Sequence, residues 1–191
     1  NRLPRYREMF EQAGAEWGVD WRLLAAIGYQ ESHWRAQAVS PTGVRGIMML
    51  TRATAEYLGL DDRRDPASSI SGGAEYFARQ TERIADTVAE PDRTWMALAA
   101  YNVGFNHIKD ARTIVEWQGG DPDTWLHISE ALPLLSQRKW YSRVPYGYAR
   151  GWEPVLYVNN IRAYYNILKW LTENEAREAG VDVTEEIVSD A

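Results

Sequence analysis

The sequence predicts an all-α fold: one helical globule whose connections are longer and wetter than those of a simple bundle. Three observations carry this. Apolar residues recur at i, i+3, i+4 and i+7. Capping residues or proline open each such run, and glycine closes most of them. No stretch alternates with period two for long enough to build a sheet.

The elements follow in order. Pro4 suits a first helical turn, and the helix it opens runs to Trp17, with Gly18 just past its end. Asp20 caps a second helix, Trp21 to Glu31. A polar loop with glycine and proline spans about 33–46. Thr51 caps a short helix ending near Gly59, and Asp65-Pro66 opens a longer one in which Ile70, Ala74, Phe77, Thr81 and Ile84 share a face. The next helix covers Asp92 to Asn102, with Trp95, Leu98 and Ala99 facing in, and Gly104 breaks it from one reaching Trp117. A short helix over 123–132 precedes a stretch, 133–151, expected to be irregular because of Pro133, Pro145, Gly147 and Gly151. The last helix starts at Glu153-Pro154 and is expected to end near Leu171.

Charge divides the chain in two. Residues 173–191 carry seven acids against one base, Arg177, which leaves twenty of each sign on residues 1–172. The expected organisation is therefore a neutral domain, 1–172, followed by an acidic tail, 173–191, which is open to reading as a regulatory flap. A neutral body lacks the basic field that nucleic-acid binding needs. No run approaches the ~20 apolar residues that span a bilayer. No leader-like segment precedes the first helix, so a mature or excised domain is expected. Cysteine is absent, and His33, His107 and His127 lack metal-binding spacing, so neither metal nor cofactor is expected. Aromatics are skewed to 9 Trp and 11 Tyr against 3 Phe. Polar-tipped rings of that kind suit either a helical core or the half-apolar faces of sugars.

Glu31 does not fit its surroundings. Leu24, Ile27, Gly28 and Glu31 form one stripe of the second helix, and it is the apolar one. Burial there, and the negative end of the helix dipole, both disfavour the ionised form and raise the carboxyl pKa. A glutamate tuned in this way is a general acid near neutral pH. The alternative is an ion pair with Arg35 or Arg45.

The motifs around it bear on that choice. Glu31-Ser32 is followed by Ser40-Pro41-Thr42-Gly43-Val44-Arg45-Gly46-Ile47-Met48-Met49-Leu50-Thr51, then Ala99-Ala100-Tyr101-Asn102-Val103-Gly104, then Glu153-Pro154-Val155-Leu156-Tyr157-Val158. In that order and spacing the chain, from about Pro4 to Leu171, resembles the catalytic domain of the soluble-type (family 1) lytic transglycosylases. The resemblance implies a goose-lysozyme-like helical globule with a substrate groove. It implies that peptidoglycan glycan strands are the partner and that Glu31 is the single catalytic acid/base. Tyr101 matches a tyrosine whose hydroxyl lies close to that glutamate, where it would hold the carboxyl. Ser40 resembles a loop serine near the reacting sugar. Gly46 and Met48 resemble a cleft-lining segment, in which Met49 replaces the glutamine of many relatives, so an amide contact to substrate is lost. Asn102 either hydrogen-bonds sugar or caps its helix. Glu153 and Tyr157 match an element that closes the far side of the groove, where Glu153 also suits the helix N-terminus. Trp34, Tyr146, Tyr148 and Trp152 serve either as sugar platforms or as packing. The reaction implied is non-hydrolytic cleavage of the N-acetylmuramic acid–N-acetylglucosamine β-1,4 bond. A water-using goose-type lysozyme and a non-catalytic peptidoglycan-binding module remain alternatives. The branch it resembles carries an N-terminal solute-binding-like module and sits on the periplasmic side of the bacterial outer membrane.

Overall fold

The computed structural model describes residues 2–178 and 180. The expected helices are present in the expected order. α1 (Leu3–Trp17) holds Pro4 in its first turn and ends at Gly18. α2 (Trp21–Ser32) is capped by Asp20, whose carboxylate accepts from the Arg22 amide at 2.9 Å. Thr51 caps α3 (Arg52–Leu58), and Asp65 caps α4 (Pro66–Arg83) through the Ser68 amide. α5 (Asp92–Val103) and α6 (Phe105–Trp117) meet at Gly104. α7 (Trp125–Ala131) runs into a 3₁₀ turn, Leu132–Ser136, then α8 (Arg138–Tyr141) and the long α9 (Trp152–Glu178).

Two expectations need correcting. The stretch 133–151 is not irregular throughout. Pro133 falls in the first turn of the 3₁₀ segment, where a missing N–H is harmless, and Leu132 and Leu135 are buried there. The remainder, 142–151, is tied down by Asp110 of α6, whose buried carboxylate accepts from the Tyr146 amide at 3.1 Å. The last helix also continues past Leu171 to Glu178. Apart from Asn174, residues 173–178 are good helix formers, and Glu175 reaches Arg7 of α1 at 2.8 Å. Residues 179 and 181–191 of the acidic stretch, and with them the flap reading, lie outside the described residues.

The core is built around α2. Leu24, Ala25, Ala26 and Ile27 have no exposed surface, because α1, α4 and α9 all pack against this helix. α5 is similarly enclosed: Met96 to Ala100 are all buried. Helices apolar on every side belong inside a domain, and their small residues permit close approach. At Gly28 a Cβ would lie 3.0 Å from the Phe10 ring and 3.1 Å from Ile47 Cγ2. Among the described residues the only β-like pairings are two isolated bridges, Val39 with Arg45 and Arg45 with Leu50. Both lie in the loop that follows α2.

Candidate active site

Glu31 stands in the last turn of α2, and its position follows from the burial of that helix. The stripe that carries it packs into the core, and Glu31 is one of the residues, with Ser32 and His33, that line a cleft of about 770 Å³. Tyr157 of α9 is buried and donates its hydroxyl to Glu31 Oε1 at 2.6 Å. Burial drives the Glu31 pKa up from the ordinary glutamate range to about 7, against the smaller opposite pull of that hydrogen bond. Among the described residues no cation lies within ion-pair distance of Glu31, so the expected alternative of pairing with Arg35 or Arg45 is not realised. Burial thus favours the protonated form of this carboxyl.

Ser32, the next residue, ties the site together. Its buried hydroxyl donates to the Ile47 carbonyl at 2.8 Å and accepts from the Arg35 amide at 3.1 Å. This joins the end of α2 to a tight turn over 45–50, in which Arg45 and Leu50 exchange backbone hydrogen bonds. Gly46 enters that turn at φ 83°, and a Cβ there would run into the Arg63 carbonyl and Ser69 Oγ. Met49 leaves it at φ 48°, a left-handed conformation that costs a side-chain-bearing residue about 1–2 kcal/mol. Ser69 and Tyr101 stabilise the strained turn. The Met48 amide donates to Ser69 Oγ at 3.2 Å, and Tyr101 donates its hydroxyl to the Met48 carbonyl at 3.0 Å.

Several expected roles are therefore redistributed. Tyr101 does not hydrogen-bond the Glu31 carboxyl; Tyr157 does. Burial pushes the Tyr101 hydroxyl pKa well up, with a smaller contribution from the charge on nearby Glu31, and the same holds for Tyr157. Both phenols stay neutral donors. Gly46 and Met48 are buried, and the Met48 side chain packs against Gly73. Their part is to shape the turn rather than to present side chains to a ligand. Met49 is half-buried at the turn's exit. Ser40 uses its hydroxyl within its own loop, accepting from the Thr42 and Val44 amides.

Asn102 is exposed near the end of α5, and among the described residues its side chain has no partner. The capping alternative is thus not the one seen. Glu153 lies in the first turn of α9, bound by Arg150 at 3.3 Å, as its helix-terminal reading expects. Trp34 is anchored through its indole N–H, which donates to the Ala25 carbonyl at 2.8 Å, and also lines the cleft beside Glu31. Tyr146, Tyr148 and Trp152 are exposed. Two residues at the site carry roles that the sequence reading did not assign. Ser32 is adjacent to the glutamate but had been given no part. The direct bond from Tyr157 was signalled only by a hydroxyl-tipped ring on an otherwise apolar helix stripe.

Comparison with known proteins places this geometry. The chain is 62% identical over 178 residues to membrane-bound lytic murein transglycosylase F 1 of Alkalilimnicola ehrlichii, covering 93% of this chain and 36% of that protein. It is 60% identical over 179 residues to membrane-bound lytic murein transglycosylase F of Marinobacter nauticus, covering 94% and 36%. The chain thus spans about a third of the length of the curated relatives it matches. Among solved structures, the 70 kDa soluble lytic transglycosylase of Escherichia coli superposes with a TM-score of 0.62 at 20% identity, over 87% of this chain and 24% of that one. An inactive mutant of lytic transglycosylase Slt from Pseudomonas aeruginosa gives a TM-score of 0.60 at 19% identity, over the same shares. These two bear on the fold, which they share with this chain. The Transglycosylase SLT domain family matches residues 8–123, and the chain belongs to that family.

Proposed function

We propose that this chain is the catalytic domain of a lytic murein transglycosylase. It cleaves the β-1,4 bond between N-acetylmuramic acid and N-acetylglucosamine without water and leaves a 1,6-anhydromuramyl end. The observation that carries this is a buried carboxyl with a pKa of about 7, lining a cleft in which, among the described residues, it is the sole acid. Ordinary glycosidases divide acid and base work between two carboxylates. One carboxyl suffices when the sugar supplies its own nucleophile.

The steps balance as follows. Protonated Glu31 gives its proton to the glycosidic oxygen, and the bond from that oxygen to the muramyl C1 breaks. The muramyl N-acetyl oxygen stabilises the resulting positive C1 as an oxazolinium. Glu31, now ionised, takes the proton of the muramyl C6 hydroxyl while O6 bonds to C1 and displaces the acetamido oxygen. The acid is regenerated, and no water is consumed. Tyr157 fixes Oε1, which leaves Oε2 to carry the proton. A pKa near the working pH serves both halves of the cycle.

The relatives' names support murein as the substrate and a membrane-associated setting. In that setting this chain acts in the bacterial envelope, on the periplasmic side of the outer membrane, alongside an N-terminal solute-binding-like module. Among the described residues no helix is long and apolar enough to cross a membrane. Mass spectrometry of murein digested by the protein tests the assignment. Anhydromuropeptides that vanish with Glu31→Gln are expected. Reducing ends instead identify a lysozyme-type hydrolase, and no cleavage by the wild type identifies a binding module.

A further inference from the structure

The cleft that Glu31 enters has a second chemical character. Its wall includes Arg2 and Arg5 from the start of α1 and Arg35 from the loop after α2, with Glu31, among the described residues, the only acid lining it. Some arginines elsewhere are held by carboxylates, as Arg7, Arg79 and Arg112 are at 2.6–2.8 Å, and others are not; what sets this group apart is that three line one cleft together. Among the described residues, no acid lies within ion-pair distance of Arg2, Arg5 or Arg35, and none of the three makes a side-chain hydrogen bond. Arg5 rests on the face of Tyr6, 5.5 Å from the ring centroid. Glu31 is not within ion-pair distance of any of the three. A cleft lined by three arginines and a single carboxyl among the described residues suits an anionic ligand.

We propose that Arg2, Arg5 and Arg35 form a subsite for the carboxylates of the peptide stems borne by the glycan strand. This rests on the reading of the substrate as peptidoglycan, in which each stem is joined to a muramyl residue and carries free carboxylates. Guanidinium groups are matched to carboxylates in charge and in fork geometry. A rim of like sign also raises the local concentration of an anionic strand, with an ionic-strength dependence. The three arginines are specificity residues: they act on which strands bind, while Glu31 acts on the bond.

The test compares peptide-bearing glycan strands with strands stripped of stems by an amidase. The wild-type protein is expected to prefer the first by about tenfold in kcat/KM, the scale of two or three partly exposed ion pairs. The preference should sit in KM and shrink with added salt. The double variant Arg5→Gln/Arg35→Gln should bring the ratio near one, and Arg5→Lys/Arg35→Lys should restore most of it. A ratio unchanged by the glutamine pair overturns the proposal. A second measurement needs no variant. Binding of the free stem tripeptide to the wild-type protein, followed by calorimetry, should exceed that of its fully amidated counterpart. Equal binding, or none of either, also overturns it. If neither strand type yields anhydro products while the acidic tripeptide still binds selectively, the catalytic reading fails and the anion subsite stands.

Discussion

Asp20 and Glu31 sit at opposite ends of α2, and each accepts a hydrogen bond from a tyrosine of α9: Tyr165 to Asp20 at 2.8 Å, Tyr157 to Glu31 at 2.6 Å. The two helices therefore run antiparallel and pin each other at two carboxyls. The outcomes are opposite. Burial opposes ionisation of Asp20, but Arg22, Tyr165 and the Arg22 amide together outweigh it and hold its carboxyl below the usual range. At Glu31 burial meets only one donor, and the pKa climbs to about 7. A tyrosine hydroxyl alone does not keep a buried carboxyl ionised; a cation and a free helix N-terminus do. One end of α2 is a structural anchor, and the other is a proton reservoir.

The largest effect should come from removing the reservoir. Glu31→Gln is expected to lower turnover by at least ~10³-fold, near the upper end of what general acid–base groups supply. The sign of its effect on stability is also fixed. A carboxyl with a raised folded pKa is favoured by folding only when protonated, so Glu31 weakens the fold as pH rises from about 4.5 through about 7. At pH 8 the variant should be more stable than wild type by roughly 3 kcal/mol at most, and near pH 4 that gain should vanish, as read from denaturant melts. A variant that loses stability at pH 8 would mean that Glu31 is an anchor like Asp20.

Tyr157→Phe sharpens the contrast. Without its donor the Glu31 pKa should rise further, so the alkaline limb of the kcat profile, expected near pH 7 in wild type, should move to higher pH. Turnover should fall by about tenfold or more through lost positioning of Oε1. An unmoved limb would assign that limb to another group. At the other end, Asp20→Asn should cost about 0.5–2 kcal/mol as a weakened cap and pair, with no change in the pH profile of kcat. The wild-type contribution of Asp20 should be present above the ordinary aspartate range and be lost as pH falls through its lower folded pKa, which acid titration of stability would show. The smallest effect is expected for Tyr101→Phe. It removes one hydrogen bond to the Met48 carbonyl, worth about 1 kcal/mol, and should slow turnover only as far as the 45–50 turn shifts.

The helices and the key residue were legible in the sequence because both leave local marks. Asp20, Thr51 and Asp65 announce helix starts through capping chemistry, and Glu31 stands out as a charge on an apolar stripe. What the sequence did not disclose depends on contacts distant along the chain. Tyr157 lies 126 residues from Glu31, and periodicity says only that its ring faces inward, not which group meets its hydroxyl. What Gly46 and Met48 do within their segment is hidden from the sequence for a related reason. A motif marks a segment as belonging to the site, but whether its side chains or its backbone do the work depends on Arg63, Ser69 and Gly73 packing behind it. The extension of α9 to Glu178 rests likewise on Arg7 of α1.

The encasement of α2 has a practical corollary for redesign. Glu31, the proposed proton donor, is mounted on a beam fixed by the interior, whereas Arg2, Arg5, Arg35 and Val39 belong to exposed segments of the cleft wall. Rim and donor can therefore be altered separately. Libraries varied at those surface positions can retune which polymers are gripped, with the acid left at its post.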